Sequence, residues 1–238
     1  MHTIIATTLA VASFTSGLTV LAQGTKQQPP NKSSKAATTT PASAPSSPTL
    51  PAWTKEPDSF LGVKFSEPLT VADCPTIPSR SIGAPALDKS AMAALGTVCI
   101  DTTSNYHGMR IPDGSRTHGI GNLPEIGPRF MVYATTDKNG LVVEFTINLK
   151  QDGFEAMAAA FKDRYGTPIT SSLKSVRTAA GGEFSSQELT WVGKKISIFM
   201  SERQGRIDTS KINLISNDFI DAETKSQQEN RSKESQKF

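Results

Sequence analysis

Apart from His2 at the extreme N-terminus, the imidazoles this chain could use as base or metal ligand are His107 and His118. Asp101 and Asp113 lie close by in sequence, with Ser104 and Ser115 among them, so base, carboxylate and hydroxyl are all present for a hydrolytic or metal site. The spacing argues against both. No HExxH pair exists, neither serine sits in a GxSxG turn, and Gly119-Ile120-Gly121-Asn122 lacks the third glycine of a dinucleotide turn. No catalytic residue, metal ligand or cofactor is therefore expected. The same stretch is better stocked for binding: Tyr106, His107, Arg110, Arg116 and His118 combine aromatic area with directed hydrogen bonds, the usual anchors of an interaction surface. The expected function is a binding module without catalytic activity. A hydrolase using His107 or His118, or a secreted enzyme inhibitor, is the alternative.

These side chains fall within residues 101–129, where Gly108, Gly114, Gly119, Gly121, Gly127, Pro112, Pro124 and Pro128 interrupt any apolar period. A long loop is predicted there. Loops of that length inside a domain usually carry function.

The elements that must hold this loop are clearest just after it. Leu141, Val143, Phe145, Ile147 and Leu149 alternate with more polar residues, the period of a strand with one buried face. Residues 130–136 form a second apolar run, joined to the first by Asp137-Lys138-Asn139-Gly140, in which Asn-Gly suits a tight antiparallel turn. Asp152 then stands where it could cap a helix over 153–165, with Phe154, Met157, Ala158, Phe161 and Tyr165 on one face and Gly166 and Pro168 ending it. Further strands are predicted at 186–191, 195–201 and 211–216, and a short helix at 86–95. Residues 167–182 are small and polar and read as a connection. Trp191 ends an alternating strand and reads as core. Phe199, Lys194, Lys195, Arg203, Arg206 and Lys211 lack the interleaved aromatics of a nucleic-acid surface. The fold class expected is α+β: a mainly antiparallel sheet of about five or more strands, with one main helix packed on one face.

The ends differ in kind. Residues 3–22 are uncharged and end in Val20-Leu21-Ala22, so 1–22 read as a signal peptide, although no Lys or Arg precedes the apolar run. Residues 23–51, rich in Pro, Ser, Thr and Ala, read as a disordered linker, residues 52–220 as a single domain, and the charged stretch 221–238 as a disordered tail. The hydrophobic share of 37% is low because these ends are poor in large apolar residues. Export to a periplasmic or extracellular compartment makes a Cys74–Cys99 disulfide the expected fate of the chain's two cysteines, ahead of a redox or metal pair. The net charge of +3 is matched by Lys26, Lys32 and Lys35, which precede the first acidic residue, Glu56. The folded part is then near neutral, and a nucleic-acid partner is not expected. An envelope protein, peptide or cell-wall component is, with no membrane-spanning segment once the leader is cleaved.

Several landmarks together carry a resemblance: Phe60-Leu61-Gly62-Val63, Cys74-Pro75, Phe154, Arg164-Tyr165-Gly166-Thr167-Pro168, Val176, Gly182-Glu183-Phe184, Leu189-Thr190-Trp191, Ile196-Ser197-Ile198 and Arg206-Ile207-Asp208-Thr209-Ser210 through Leu214. With them the chain resembles small exported proteobacterial proteins of uncharacterised function. The resemblance covers most of residues 60–216 and implies location and fold, not activity.

Overall fold

A computed structural model describes residues 53–78, 85–111, 113–179 and 181–235, all within one compact unit, Pro48–Phe238. The expected signal peptide and linker lie outside the described residues. Two small ribbons come first, Ser59–Phe60 (β1) with Val63–Lys64 (β2), and Thr76–Ile77 (β3) with Ala86–Leu87 (β4). Helix α1 (Lys89–Leu95) starts later than the sequence suggests, because the Asp88 carboxylate accepts from the Ser90 and Ala91 amides at 3.1 Å and sets the first turn there.

The main sheet has nine strands: Cys99–Asp101 (β5), Met109–Arg110 (β6), Arg116–Gly121 (β7), Phe130–Thr136 (β8), Val142–Lys150 (β9), Thr170–Arg177 (β10), Glu183–Val192 (β11), Ile196–Ser201 (β12) and Thr209–Ser216 (β13). Their order is β10-β11-β12-β13-β9-β8-β7-β5, with β6 also on β7, and every pairing is antiparallel. A 3-10 turn, Gln151–Gly153, leads into α2 (Phe154–Tyr165), and α3 (Asn217–Ser235) ends the described chain. The fold is α+β, a mostly antiparallel sheet with a few helices.

Register builds the core. Ala134, Phe145, Leu214, Ile198 and Trp191 stand opposite one another across five strands, and Val132, Ile147, Ile212, Met200 and Leu189 form the next row. All ten are buried. Phe154, Met157, Ala158, Phe161 and Tyr165 of α2 belong to the same core cluster, and Phe60 bridges them, its ring centroid 5.3 Å from that of Phe145 and 6.5 Å from that of Phe161. Trp191 donates its indole N–H to the Gly166 carbonyl at 2.8 Å, so this buried polar atom is satisfied. The alternate residues Glu144, Thr146, Asn148, Lys211 and Asn213 point to the opposite, half-exposed face.

Four local expectations are corrected. Residues 101–129 are not one long loop, since β6 and β7 form within them. Gly119 and Gly121 hide the strand period because the strand is approached closely: a Cβ on Gly121 would lie 2.6 Å from the Cys74 sulfur, and one on Gly119 3.1 Å from the Ser104 Cβ. Residues 170–177 are an edge strand, overlooked because none of its side chains is buried. The expected disordered tail is replaced up to Ser235 by α3, which buries no residue and so offers no apolar stripe to read. Asp152 caps nothing. It lies inside the 3-10 turn, and the α2 N-cap is Gly153. The 137–140 turn uses one positive φ, at Gly140 (+83°), while the Asp137 carboxylate accepts from the Asn139 and Leu141 amides at 2.9 Å.

Near the start of the described chain, Trp53 donates to the Tyr165 carbonyl at 2.6 Å. The Glu56 carboxylate accepts from the Lys194, Lys195 and Ile196 amides, at 3.0 Å for Lys194 and 2.6 Å for Ile196. Partial burial pushes the Glu56 pKa up, but those amides and the Lys195 charge outweigh it and hold the pKa below its ordinary value. A depressed carboxyl pKa stabilises above the unfolded value and loses that contribution as pH falls through the folded one. Replacing Glu56 by Gln should therefore cost about 1 kcal/mol at neutral pH, after allowance for solvent screening. It should also flatten the acid limb of the stability curve below about pH 5, as measured by denaturant unfolding at several pH values. An unchanged acid limb would exclude this anchor.

Candidate functional site

The side chains singled out in the sequence are positioned by two short-range devices. In the turn after β5, the Asp101 carboxylate accepts from the Thr103 amide at 2.9 Å and its hydroxyl at 2.6 Å, and the Ser104 carbonyl accepts from the His107 amide at 2.9 Å. In the β6–β7 hairpin, the Asp113 carboxylate accepts from the Ser115 amide at 2.8 Å and its hydroxyl at 2.7 Å. Both are Asx turns, which explains why Asp101 and Asp113 precede Thr and Ser by two residues. Both acids are committed to backbone shape.

Strand alternation then divides the expected cluster. His118 stands opposite Ala134, in the core-side row, whereas Thr117 stands opposite Thr135 on the other face. His107, Arg110, Arg116 and His118 line one recess of about 640 Å³ together with Asp73, Thr136 and Lys138. Tyr106 is not among them. It packs edge-on against Tyr133, with ring centroids 5.2 Å apart, and lines a different recess.

Within the first recess the two imidazoles meet edge to face at 5.7 Å. His118 is half-buried, its Nε2 lying 3.3 Å from the Thr136 hydroxyl. Burial, the neighbouring His107 and the Arg116 charge, in that order, hold its pKa below 6.5. Arg110 and Arg116 are direct cross-strand partners in the hairpin. Like charges placed opposite each other destabilise a strand pair. Among the described residues neither arginine, nor Lys138, makes an ion pair. The recess thus gathers cationic and imidazole donors, with Asp73 and Asp137 as its acids; the Asp137 carboxylate is engaged by the Asn139 and Leu141 amides, and Asp73 makes no ion pair among the described residues. Arg forks and imidazole N–H groups are donors suited to carboxylate, phosphate or sulfate oxygens.

Hydrolytic chemistry has less to work with. Ser115 is buried and its hydroxyl donates to Asp113, and Thr136, whose hydroxyl lies 3.3 Å from His118 Nε2, is 3% exposed. Among the described residues no three His, Cys, Asp or Glu side chains are grouped so as to hold a metal ion. A larger recess of about 870 Å³ lies along residues 123–131 and the end of β9, but its lining is mainly apolar and backbone.

Cys74 and Cys99 are joined, with a Cα–Cα distance of 4.8 Å, a bridge compatible with an oxidising compartment. No helix among the described residues is long and apolar enough to cross a membrane. Searches against protein-family models, curated proteins and solved structures find nothing that matches this chain.

The opposed arginines and the split between Tyr106 and His107 were not visible in the sequence. Both follow from β6 and β7. The signal available was Asp113-Gly114-Ser115, an Asx turn between residues that alternate on each side.

Proposed function

We propose that this domain is an exported, envelope-associated binding module, with α2 as the main cover of one sheet face. Its recess between the β6–β7 hairpin and the turn after β5 takes an anionic group, such as a carboxylate, phosphate or sulfate on an envelope protein, peptide or cell-wall component. The observation that carries this reading is the Arg110–Arg116 cross-strand pair, two like charges at opposed positions of one hairpin and neither in an ion pair among the described residues. An arriving anion relieves that repulsion and is gripped by two forks at once. His118, whose pKa burial and its cationic neighbours hold below the ordinary value, is a neutral donor at neutral pH and gains charge as pH falls, so anion affinity rises toward acid conditions.

Titration with inorganic sulfate, which keeps its charge over this range, followed through the histidine ring NMR signals at about pH 7.5 and about pH 5.5, tests the reading. Binding should tighten at the lower pH. The double replacement Arg110→Ala with Arg116→Ala should reduce affinity at least about tenfold while changing stability by no more than about 0.5 kcal/mol. Equal binding by that variant, or no binding of phosphate, sulfate or acetate at either pH, would exclude the anion site. A hydrolytic activity abolished by replacing His107 or His118 with Ala, the fold intact, would replace this reading with the enzyme alternative.

A further inference from the structure

The recess on the other face of β7 is built from different chemistry. About 580 Å³ in volume, it is lined by Tyr106, Ile111, Thr117, Met131, Tyr133, Thr135, Glu144, Thr146 and Asn148. Register explains how they meet. Thr117, Thr135 and Glu144 form one cross-strand row, while Gly119, Tyr133 and Thr146 form the next. Tyr133 is thus the diagonal neighbour of Glu144, within reach of a long side chain. Gly119, opposite Tyr133, puts no side chain in the row, and Tyr106 folds over from the turn after β5 to meet the Tyr133 ring at 75°. Tyr106 and Met131 are 49% and 57% exposed, so one side of the recess is open.

Glu144 is the unusual member. Its carboxylate is half-buried, and among the described residues it has no ion-pair partner; its one polar contact is the Thr146 hydroxyl at 3.4 Å. Burial raises its pKa, and the Lys211 charge and the Thr146 hydroxyl only partly offset that rise. Asp101 is also close enough to help push the Tyr133 phenol upward, after burial and alongside Tyr106. Glu144 is the one acidic side chain lining the recess that holds the two rings.

The geometry points to this recess as a binding site for an alkylammonium group, with Glu144 supplying the counter-charge and Tyr106 and Tyr133 the aromatic wall. Ring faces attract an organic cation through their quadrupole, most strongly where water is partly excluded, and a carboxylate beside them adds direct attraction. The same chemistry is carried by a quaternary headgroup and by a lysine side chain. The site is independent of the anion recess, since it lies across β7 and shares none of its lining residues.

The test is a titration of the full domain with choline, with Nα-acetyl-lysine amide, and with the neutral tert-butyl analogue of choline, read from tyrosine ring NMR signals. Both ammonium probes are expected to shift Tyr106 and Tyr133, and the tighter of the two identifies the source. The neutral analogue should bind at least about tenfold more weakly. Glu144→Gln should lose about tenfold in affinity for the ammonium probes with an unchanged melting temperature, and Tyr106→Ala, a change in an exposed turn, should lose several-fold. Equal binding of the neutral analogue, no effect of Glu144→Gln, or no ammonium binding would each overturn the assignment. The Arg110→Ala, Arg116→Ala variant should bind choline as the parent does, which separates this outcome from failure of the anion site.

Discussion

Phe145→Ala should cost about 3 to 5 kcal/mol and lower the melting temperature by on the order of 10 °C for a domain of this size. The ring is fully buried, and it is where three separate parts of the chain meet. Phe65 packs against it edge-on at 5.2 Å and Phe60 at 5.3 Å, both from the segment before the sheet, while Leu214 and Ala134 flank it from the adjacent strands. Truncation would leave a cavity that flat strands on either side cannot close by moving inward. Phe199→Ala is the matched control. That ring lies on the other face at 41% exposure, so its loss should cost about 1 kcal/mol or less. Equal losses for both variants, measured by urea unfolding, would mean that the two faces of the sheet are not distinguished as the register requires.

The contrast between those two rings also marks where sequence reading succeeds. β8, β9, β11, β12 and β13 each bury one face, so the alternation of Phe145, Ile147 and Leu149, or of Ile212 and Leu214, writes the strand into the sequence. β10 buries nothing, and its Thr-Ser-Ser-Leu-Lys-Ser run carries no alternation to find. α3 buries no residue and beyond its first turn has no apolar stripe, so its sequence reads as a charged tail. β7 is the instructive failure. Its glycines are there because the turn after β5 and the disulfide press against the strand, a tertiary demand that no local window contains.

The site was legible as a set of residue types and illegible as an arrangement. Tyr106, His107, Arg110, Arg116 and His118 stand out in the sequence because aromatic, imidazole and guanidinium groups are concentrated in a glycine-rich stretch. Once β7 is a strand, neighbours in sequence point apart. Thr117 and His118 face opposite sides, and consecutive turn residues Tyr106 and His107 serve different recesses. Glu144 was passed over because it reads as one polar position in an alternating strand. Its significance depends on lacking a cationic partner among the described residues, which only the packed sheet reveals.

Removing the disulfide, by Cys74→Ala with Cys99→Ala, should cost about 3 kcal/mol, the chain-entropy value for a loop of about 25 residues. The two sulfurs do more than close that loop. Cys74, Cys99 and Met92 of α1 form a small core of their own, with Leu87 packed against it and Gly121 of β7 fitted to the Cys74 sulfur. Apart from the bridge, the Cys74 segment is tied to β5 by two backbone bonds of 2.8 Å, from the Cys74 amide to the Ile100 carbonyl and from the Ile100 amide to the Ala72 carbonyl. So small a cluster buries little apolar area, and without the bridge α1 has almost nothing to hold it. The loss should therefore appear first as local opening: amides of residues 89–95 should lose hydrogen-exchange protection in the variant, while those of β9 and β13 keep theirs. Because β7 borders this cluster and carries Arg116 and His118, anion affinity should fall with it, and the Glu144 recess, which takes Thr117 from β7 and Tyr106 from the turn after β5, should weaken as well. Full protection of residues 89–95 after removal of both sulfurs would show that the bridge is dispensable to the fold and that the hairpin is held by the main sheet alone.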